Sequence, residues 1–398
     1  MNQVVLSELL KSSKTGFACG KRDVDGYIQL RMNNVGADGS LSLEKITRIP
    51  ASNKQLETAD LQPGDVLFNC TNSSELVGKT CYFPGHKDKV LYSNHFVRLR
   101  CRDDLLEGRY LFRWLTFLRG QGFFTSRCVR WVNQATYRKD DLLALKIPLP
   151  PLTEQRRIAK ILDAADALRT KRREAIAQLD ALVQSTFLEM FGDPVQNPKG
   201  WQVVEGAKVF QDLTYGTSTK ALDSPKGDSL PVLRIPNIVG GQIDWKDLKF
   251  SSLTATEREK LKLIKNDLLL VRTNGNPNYI GRCARFDETR PTVFASYLIR
   301  CRLGKASGFD AEFIKNVIEA PTYRHKVRRE ARTTAGNYNL STKGIRNFRF
   351  IQPPIALQER FAVITKHIGK QKDQLQSHLT ELDYLFAALQ DRAFQGVL

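Results

Sequence analysis

The sequence predicts an α+β protein: two pseudo-repeated α/β domains separated by two long antiparallel helices that form a coiled coil. Three observations carry this expectation. The chain matches itself when shifted by about 203 residues, and each copy closes on a long stretch with apolar residues at threes and fours. The remainder of each copy alternates short β-rich runs with turn residues. At 398 residues the chain has the length of two or three domains.

The repeat rests on four blocks in the same order. Leu30-Arg31 with Asn34 meets Leu233-Arg234 with Asn237. Gly64-Asp65-Val66-Leu67 with Thr71-Asn72 and Gly78-Lys79 meets Asn266-Asp267-Leu268-Leu269 with Thr273-Asn274 and Gly281-Arg282. Pro150-Pro151-Leu152 with Gln155 and Arg157 meets Pro353-Pro354-Ile355 with Gln358 and Arg360. Leu179-Asp180 with Leu182 and Phe191 meets Leu382-Asp383 with Leu385 and Phe394. A period this long describes two similar halves rather than a solenoid. The boundaries fall at 1–152, 153–192, 193–352 and 353–398.

Residues 153–192 and 353–398 read as helices. Ile158, Ile161, Leu162, Ala165, Leu168, Ile176, Leu179, Leu182, Val183, Phe187 and Met190 recur at helical spacing. Thr153-Glu154-Gln155 suits a helix start, and Gly192 with Pro194 suits its end. Phe361, Ile364, Ile368, Leu375, Leu379, Leu382, Leu385 and Leu389 repeat the pattern. About 38 residues at roughly 1.5 Å each make a helix of about 57 Å. Two such amphipathic helices in one chain pack most simply on each other.

The globular parts read as mixed α/β. Val66–Phe68, Phe96–Leu99, Leu268–Val271 and Leu298–Cys301 predict strands, and segments near Arg109–Leu118 and Phe313–Glu319 predict helices.

The chain carries 61 basic and 42 acidic side chains, a net of +19. Residues 153–192 hold seven basic and six acidic groups, and 353–398 hold five of each. About +18 therefore lies in the globular parts, and the helices are a neutral scaffold. A charge of this sign and size favours an acidic polymer, and nucleic acid above all. No run of about 18 apolar residues predicts a membrane span, and the start Met1-Asn2-Gln3-Val4-Val5 lacks a signal-peptide pattern. Seven cysteines without a Cys-x-x-Cys pair argue against a disulfide framework or a structural zinc site. The expectation is a cytoplasmic protein without a membrane partner.

Candidate DNA-binding residues lie in loops that mix basic groups with side chains able to meet base edges. Asn and Gln can pair with adenine and Arg with guanine, while Lys, Ser and Thr mostly hold phosphates. In the first half these are Arg31, Asn34, Thr71, Asn72, Lys79, Asn133, Gln134, Tyr137 and Arg138. In the second they are Arg234, Asn237, Arg272, Thr273, Asn274, Asn276, Asn278, Arg282, Arg332, Asn337, Tyr338 and Asn339.

Catalytic motifs are missing. Gly78-Lys79-Thr80 looks like the end of a phosphate loop, but Ser73 stands where the first glycine belongs, so it reads as a turn. Asn276-Pro277-Asn278-Tyr279 is similar to the Asn-Pro-Pro-Tyr of adenine methyltransferases, with the wrong third residue and no glycine-rich cofactor loop before it. The five histidines show no metal-binding spacing, and no serine sits in a nucleophile elbow. No catalytic residue, metal or cofactor is assigned to this chain.

Ile147-Pro148-Leu149-Pro150-Pro151-Leu152-Thr153-Glu154-Gln155-Arg156-Arg157-Ile158, followed by a long helix and Phe191-Gly192-Asp193-Pro194, closely resembles the specificity subunit of type I restriction–modification systems. The resemblance covers essentially the whole chain. The second junction, Pro353-Pro354-Ile355-Ala356-Leu357-Gln358-Glu359-Arg360, departs by placing Leu357 where Glu154 stands. Asn337-Tyr338-Asn339-Leu340-Ser341 also looks like the family's Asn-Leu-Ser segment, a form that Ala135-Thr136-Tyr137-Arg138-Lys139 lacks.

The resemblance implies two target-recognition domains, 1–152 and 193–352, each followed by a spacer helix. It implies a non-catalytic subunit that recognises a split, asymmetric double-stranded DNA target. Two methyltransferase subunits and two restriction–translocase subunits are the implied partners, with S-adenosylmethionine, ATP and Mg2+ on those partners. Three readings stay open beside it: a specificity subunit of a methylation-only or type II-like system, a stand-alone nuclease or methyltransferase, and a non-catalytic protein-interaction scaffold.

Overall fold

The computed structural model describes residues 2–132, 134–334 and 336–398. It divides into two compact units, one of Met1–Arg173 with Ser377–Leu398 and one of Glu174–Gln376. Both divisions fall inside long helices. The central helix is Leu152–Phe191 and the C-terminal helix is Ile355–Gln395. Each unit is thus a globular part with one segment of each helix.

The first unit is built on a four-stranded antiparallel sheet in the order Leu10–Thr15, Phe96–Cys101, Val66–Asn69, Thr80–Tyr82. Beside it stands a three-stranded sheet with Tyr27–Leu30 at its centre, antiparallel to Thr47–Ile49 and parallel to Val90–Tyr92. Every residue of Val66–Asn69 is buried, as expected of an apolar run with sheet on both edges. Helix Gly108–Gly120 turns Tyr110, Leu111 and Leu115 into the core that Val66, Phe68 and Leu99 line.

The second unit repeats this plan. Its four-stranded sheet runs Phe210–Tyr215, Leu298–Leu303, Leu268–Val271, Cys283–Arg285. Leu230–Leu233 pairs antiparallel with Lys249–Ser251 and parallel with Val293–Phe294. Even the irregularity is duplicated: the first strand of each large sheet carries a bulge, between Leu10 and Ser12 and between Phe210 and Asp212.

The repeat blocks turn out to be framework. Asp65 and Asp267 are buried, and each receives two guanidinium bonds of 2.7–2.8 Å, from Arg100 and Arg302 respectively. Gly64 and Asn266 before them take positive φ, 94° and 72°, which closes the turn onto the strand. The Pro-Pro-x-x-x-Gln junction has an equally physical reason. Gln155, 1% exposed, donates to the Leu105 and Pro150 carbonyls and accepts from the Glu107 N–H. Gln358, fully buried, does the same with Gly308, Pro353 and Asp310. One amide side chain satisfies three buried backbone groups and ties each globular part to its helix. Neither bond set uses Glu154 or Leu357; Glu154 instead pairs with Arg157 at 2.7–2.9 Å, a surface contact that Leu357 cannot make.

Within each unit the two helix segments run antiparallel. In the first, Arg157 donates to the Leu398 carbonyl and Arg169 pairs with Asp383. In the second, Lys372 pairs with Asp180, while Phe187 and Phe191 pack on Phe361. Gly192, at φ 76°, ends the central helix. The apolar stripe is wider than one seam can cover. Leu168, Leu182 and Leu385, which periodicity assigns to the packed face, are about half exposed because each segment has one helical neighbour. Among the described residues no helix is long and apolar enough to cross a membrane.

Candidate nucleic-acid interface

In each unit, two loop clusters far apart in sequence become one small antiparallel sheet. In the first unit Ala135–Thr136 pairs with Thr71–Asn72 on one side and Val129–Arg130 on the other. In the second, Asn337–Asn339 lies between Thr273–Asn274 and Arg332–Thr334. Each Thr–Asn strand follows one residue after a fully buried core strand, so the patch is anchored to the rigid sheet. Tyr137 N–H donates to the Cys70 carbonyl and Leu340 N–H to the Arg272 carbonyl, the same bond in both copies.

On the first patch, the Thr71 and Thr136 hydroxyls lie 3.2 Å apart across the strands. Asn72 donates to the Asn69 side-chain oxygen and accepts from the Ser73 N–H, so its amide holds its own turn. Gln134 and Arg138 are exposed. Asn133 lies outside the described residues.

The second patch is richer in guanidinium and aromatic groups. Arg272 is half-buried with its guanidinium 4.5 Å from the Tyr215 ring centre. Arg282 stacks on Tyr279 at 3.6 Å. The Asn274, Asn276 and Asn278 loop is a chain of side-chain-to-backbone turns: Asn276 N–H donates to Asn274 and Asn278 N–H to Asn276. Arg328 donates to the Asn278 side chain at 2.6 Å, and Arg324 to the Asn278 and Ile280 carbonyls. Burial, opposed by the carboxylate of Glu319, holds the Arg324 pKa below its ordinary value, and the group braces the loop from within. Thr273 and Tyr338 are half-buried, Arg332 and Asn337 are exposed, and the Asn339 amide donates weakly to the Asn337 carbonyl.

Four candidates are corrected. Asn34 and Asn237 are buried, and every polar atom of their amides is used: they accept from the Arg31 and Arg234 N–H and donate to the Ser42 and Lys45 or Asp244 and Lys246 carbonyls. They brace turns and have nothing left for a base. Lys79 is buried too, its ammonium bonded to the Met32 and Val35 carbonyls. Burial, with Arg119 adding like charge, lowers its pKa. Tyr137 is a core residue packed against Phe68 and Phe124, in the place that Leu340 fills in the other unit. Arg31 and Arg234 are partly engaged, Arg31 with the Cys19 carbonyl and Arg234 with Asp247. Arg234 also lines a cavity of about 390 Å³ with Thr217, Ser296 and Tyr297.

Residue type alone did not single out Tyr215, whose stack on Arg272 comes from a distant strand. Among the described residues no three His, Cys, Asp or Glu side chains gather as metal ligands would.

Comparison with known proteins agrees with this architecture. Residues 27–178 match the family described as type I restriction modification DNA specificity domain. The type I restriction enzyme EcoKI specificity subunit of Escherichia coli strain K12 is 27% identical over 274 residues, which is 64% of this chain and 58% of that protein. The match thus spans little more than half of the relative's length. Among solved structures, the type I restriction–modification S subunit from M. genitalium aligns over 99% of this chain and 96% of its own, at 13% identity and a TM-score of 0.58. A chain from a structure describing complex assembly and conformational transition of the type I system aligns over 100% and 98%, at 18% identity and a TM-score of 0.54. At these identities the structural likeness is one of fold. Residues 27–178 thus resemble a type I restriction–modification DNA specificity domain, and the chain as a whole shares the fold of the S-subunit structures.

Proposed function

We propose that this chain is the DNA-recognition subunit of its complex, and that each three-stranded patch reads one half of a split, asymmetric target. The observation that carries this reading is the duplicated patch itself: one backbone frame, built twice on a rigid sheet, dressed with different polar and basic side chains. Two different sets of side chains on one frame suit two unrelated half-sites. The location of about +18 of the net charge outside the helices supports it, because phosphate neutralisation supplies affinity while base contacts supply sequence. In this reading residues 1–152 and 193–352 are the recognition domains, and 153–192 and 353–398 are the spacers.

The chain selects and does no chemistry. Methyl transfer with S-adenosylmethionine falls to two methyltransferase subunits, and ATP- and Mg2+-dependent cleavage to two restriction–translocase subunits. The repeat equivalents Leu182 and Leu385, 47% and 50% exposed, support docking of two copies of one partner, because each unit offers the same apolar position on a neutral helix. A cytoplasmic location follows from that partnership.

The test is a map of N6-methyladenine in cells expressing this chain with its methyltransferase, against the methyltransferase alone. One split, asymmetric motif present only with this chain is the expected result. A palindrome would overturn the two-reader scheme, and no new methylation from a soluble complex would favour a scaffold role. Restriction of unmethylated DNA by the complete complex separates a type I system from a methylation-only one. Adding whole helical turns to both long helices is expected to lengthen the unspecified spacer, and an unchanged spacer would end the ruler idea.

A further inference from the structure

The two ribbons differ most at their tips. In the second unit the strands Arg332–Thr334 and Asn337–Asn339 pair up to Thr334 and Asn337, which have two residues between them in the sequence. In the first unit the last pair is Arg130 with Ala135, which have four residues between them in the sequence, beginning Trp131-Val132. Trp131 is 70% exposed and Val132 is 99% exposed. The other three tryptophans pack in or against the cores. Trp131 is not loosely held, since its N–H donates to the Gln134 carbonyl at 2.7 Å.

The chemistry around the tip selects its partner. No carboxylate occurs between Glu107 and Asp140, and Arg127, Arg130 and Arg138 flank the tip with exposed guanidinium groups. An aromatic and an aliphatic side chain at the end of a basic ribbon match the wedges with which proteins open a base step, while the flanking cations hold the phosphates on either side. The ribbon is hydrogen-bonded through Ala135–Thr136 to the strand carrying Thr71 and Asn72. A duplex bound to that patch would therefore meet the tip.

We propose that Trp131, with Val132 beside it, inserts into the duplex, unstacks one base step and bends the half-site read by the first unit, while the half-site read by the second unit stays stacked. The proposal rests on the DNA-recognition reading above and names how one of its two sites works. Part of that half-site's sequence preference would then come from the ease of opening a step, without a hydrogen bond to it.

The experiment uses the full chain in complex with its methyltransferase subunits, on the duplex identified by methylation mapping. 2-Aminopurine is placed in turn at each position of both half-sites. The expected result is a fluorescence rise at one step of one half-site, lost in Trp131→Ala, largely kept in Trp131→Phe and reduced in Val132→Ala. Affinity should fall roughly tenfold in Trp131→Ala, the effect of losing one aromatic–base stack. Its melting temperature should be unchanged, because the side chain supports no core. A specifically bound duplex with no rise anywhere, or a rise that survives Trp131→Ala, would overturn the proposal. So would loss of methyltransferase association in Trp131→Ala with duplex binding by the chain intact, which would make the tip a protein contact. Absence of sequence-specific binding by the wild-type complex would instead defeat the recognition reading beneath it.

Discussion

The two units share a set of buried framework bonds and diverge most on the patches. Asp65 with Arg100 matches Asp267 with Arg302, Gln155 matches Gln358, and Asn34 matches Asn237, down to which backbone groups each one satisfies. On the patches only the Thr–Asn strand is common. Thr136 faces Thr71 where Asn339 faces Thr273, and the paired strand ends have four residues between them in the sequence, Trp131 first, where the other ribbon has two. Identity between repeats thus marks what the fold needs, and difference marks what each unit does alone.

The sharpest way to break that symmetry is to cut one copy of a buried ion pair. Asp65→Ala leaves the Arg100 guanidinium and the Gln62 N–H without their partner, and Asp267→Ala does the same to Arg302 and Ile264. Each is expected to cost about 3 kcal/mol, confined to its own unit. Calorimetry of the full chain should then show the altered unit melting ahead of the other. A single transition in both variants would show that the units do not unfold separately.

The junction glutamines come next. Gln155→Ala and Gln358→Ala each strand two carbonyls and one N–H, at about 2 kcal/mol. Glutamate should not rescue either position, because its acceptor oxygens would face the Leu105 and Pro150 carbonyls or their counterparts. Denaturant midpoints for the four variants check this, and a stable Gln155→Glu would contradict the bonding assigned here.

These framework residues explain what could be read in advance and what could not. The long helices were legible because apolar spacing is written directly in the chain, and so were the core strands, whose runs are apolar throughout. The duplicated loops were legible as clusters. Their union in one sheet was not, because Thr71 and Thr136 lie 65 residues apart and pairing of short polar strands leaves no periodic trace. Choosing candidates by repetition misled for Asn34, Asn237 and Lys79: a side chain that mimics backbone inside a turn repeats as faithfully as any contact residue. Tyr137 was misread for the related reason that an aromatic beside arginines looks alike in a core and on a surface. Exposure, which residue type does not carry, separates the cases.

That distinction makes a paired prediction on binding. Arg138→Ala and Arg332→Ala remove exposed cations from opposite patches and should each weaken duplex binding several-fold, lowering the salt slope by about one. Asn34→Ala should instead cost about 1 kcal/mol of stability and leave the methylated motif unchanged. A changed motif in Asn34→Ala would reverse the correction made for that residue.

The smallest effect tests the helix pairing, where the repeat is the same in plan and different in chemistry. Arg169 with Asp383 and Lys372 with Asp180 are equivalent bridges, and both aspartates are substantially exposed. Arg169 does more than its counterpart: it also bonds Asp166 at 2.8 Å and lies 4.3 Å over the Phe386 ring. A planar guanidinium can serve two carboxylates and a ring face together, and a lysine ammonium cannot. Arg169→Lys should therefore cost about 1 kcal/mol, mostly from the lost stack and second bond. Lys372→Arg should change stability by less than about 0.5 kcal/mol, since an exposed pair is worth little with either cation. If the two swaps cost the same, the stack on Phe386 contributes nothing, and the two bridges are alike in energy as well as in plan.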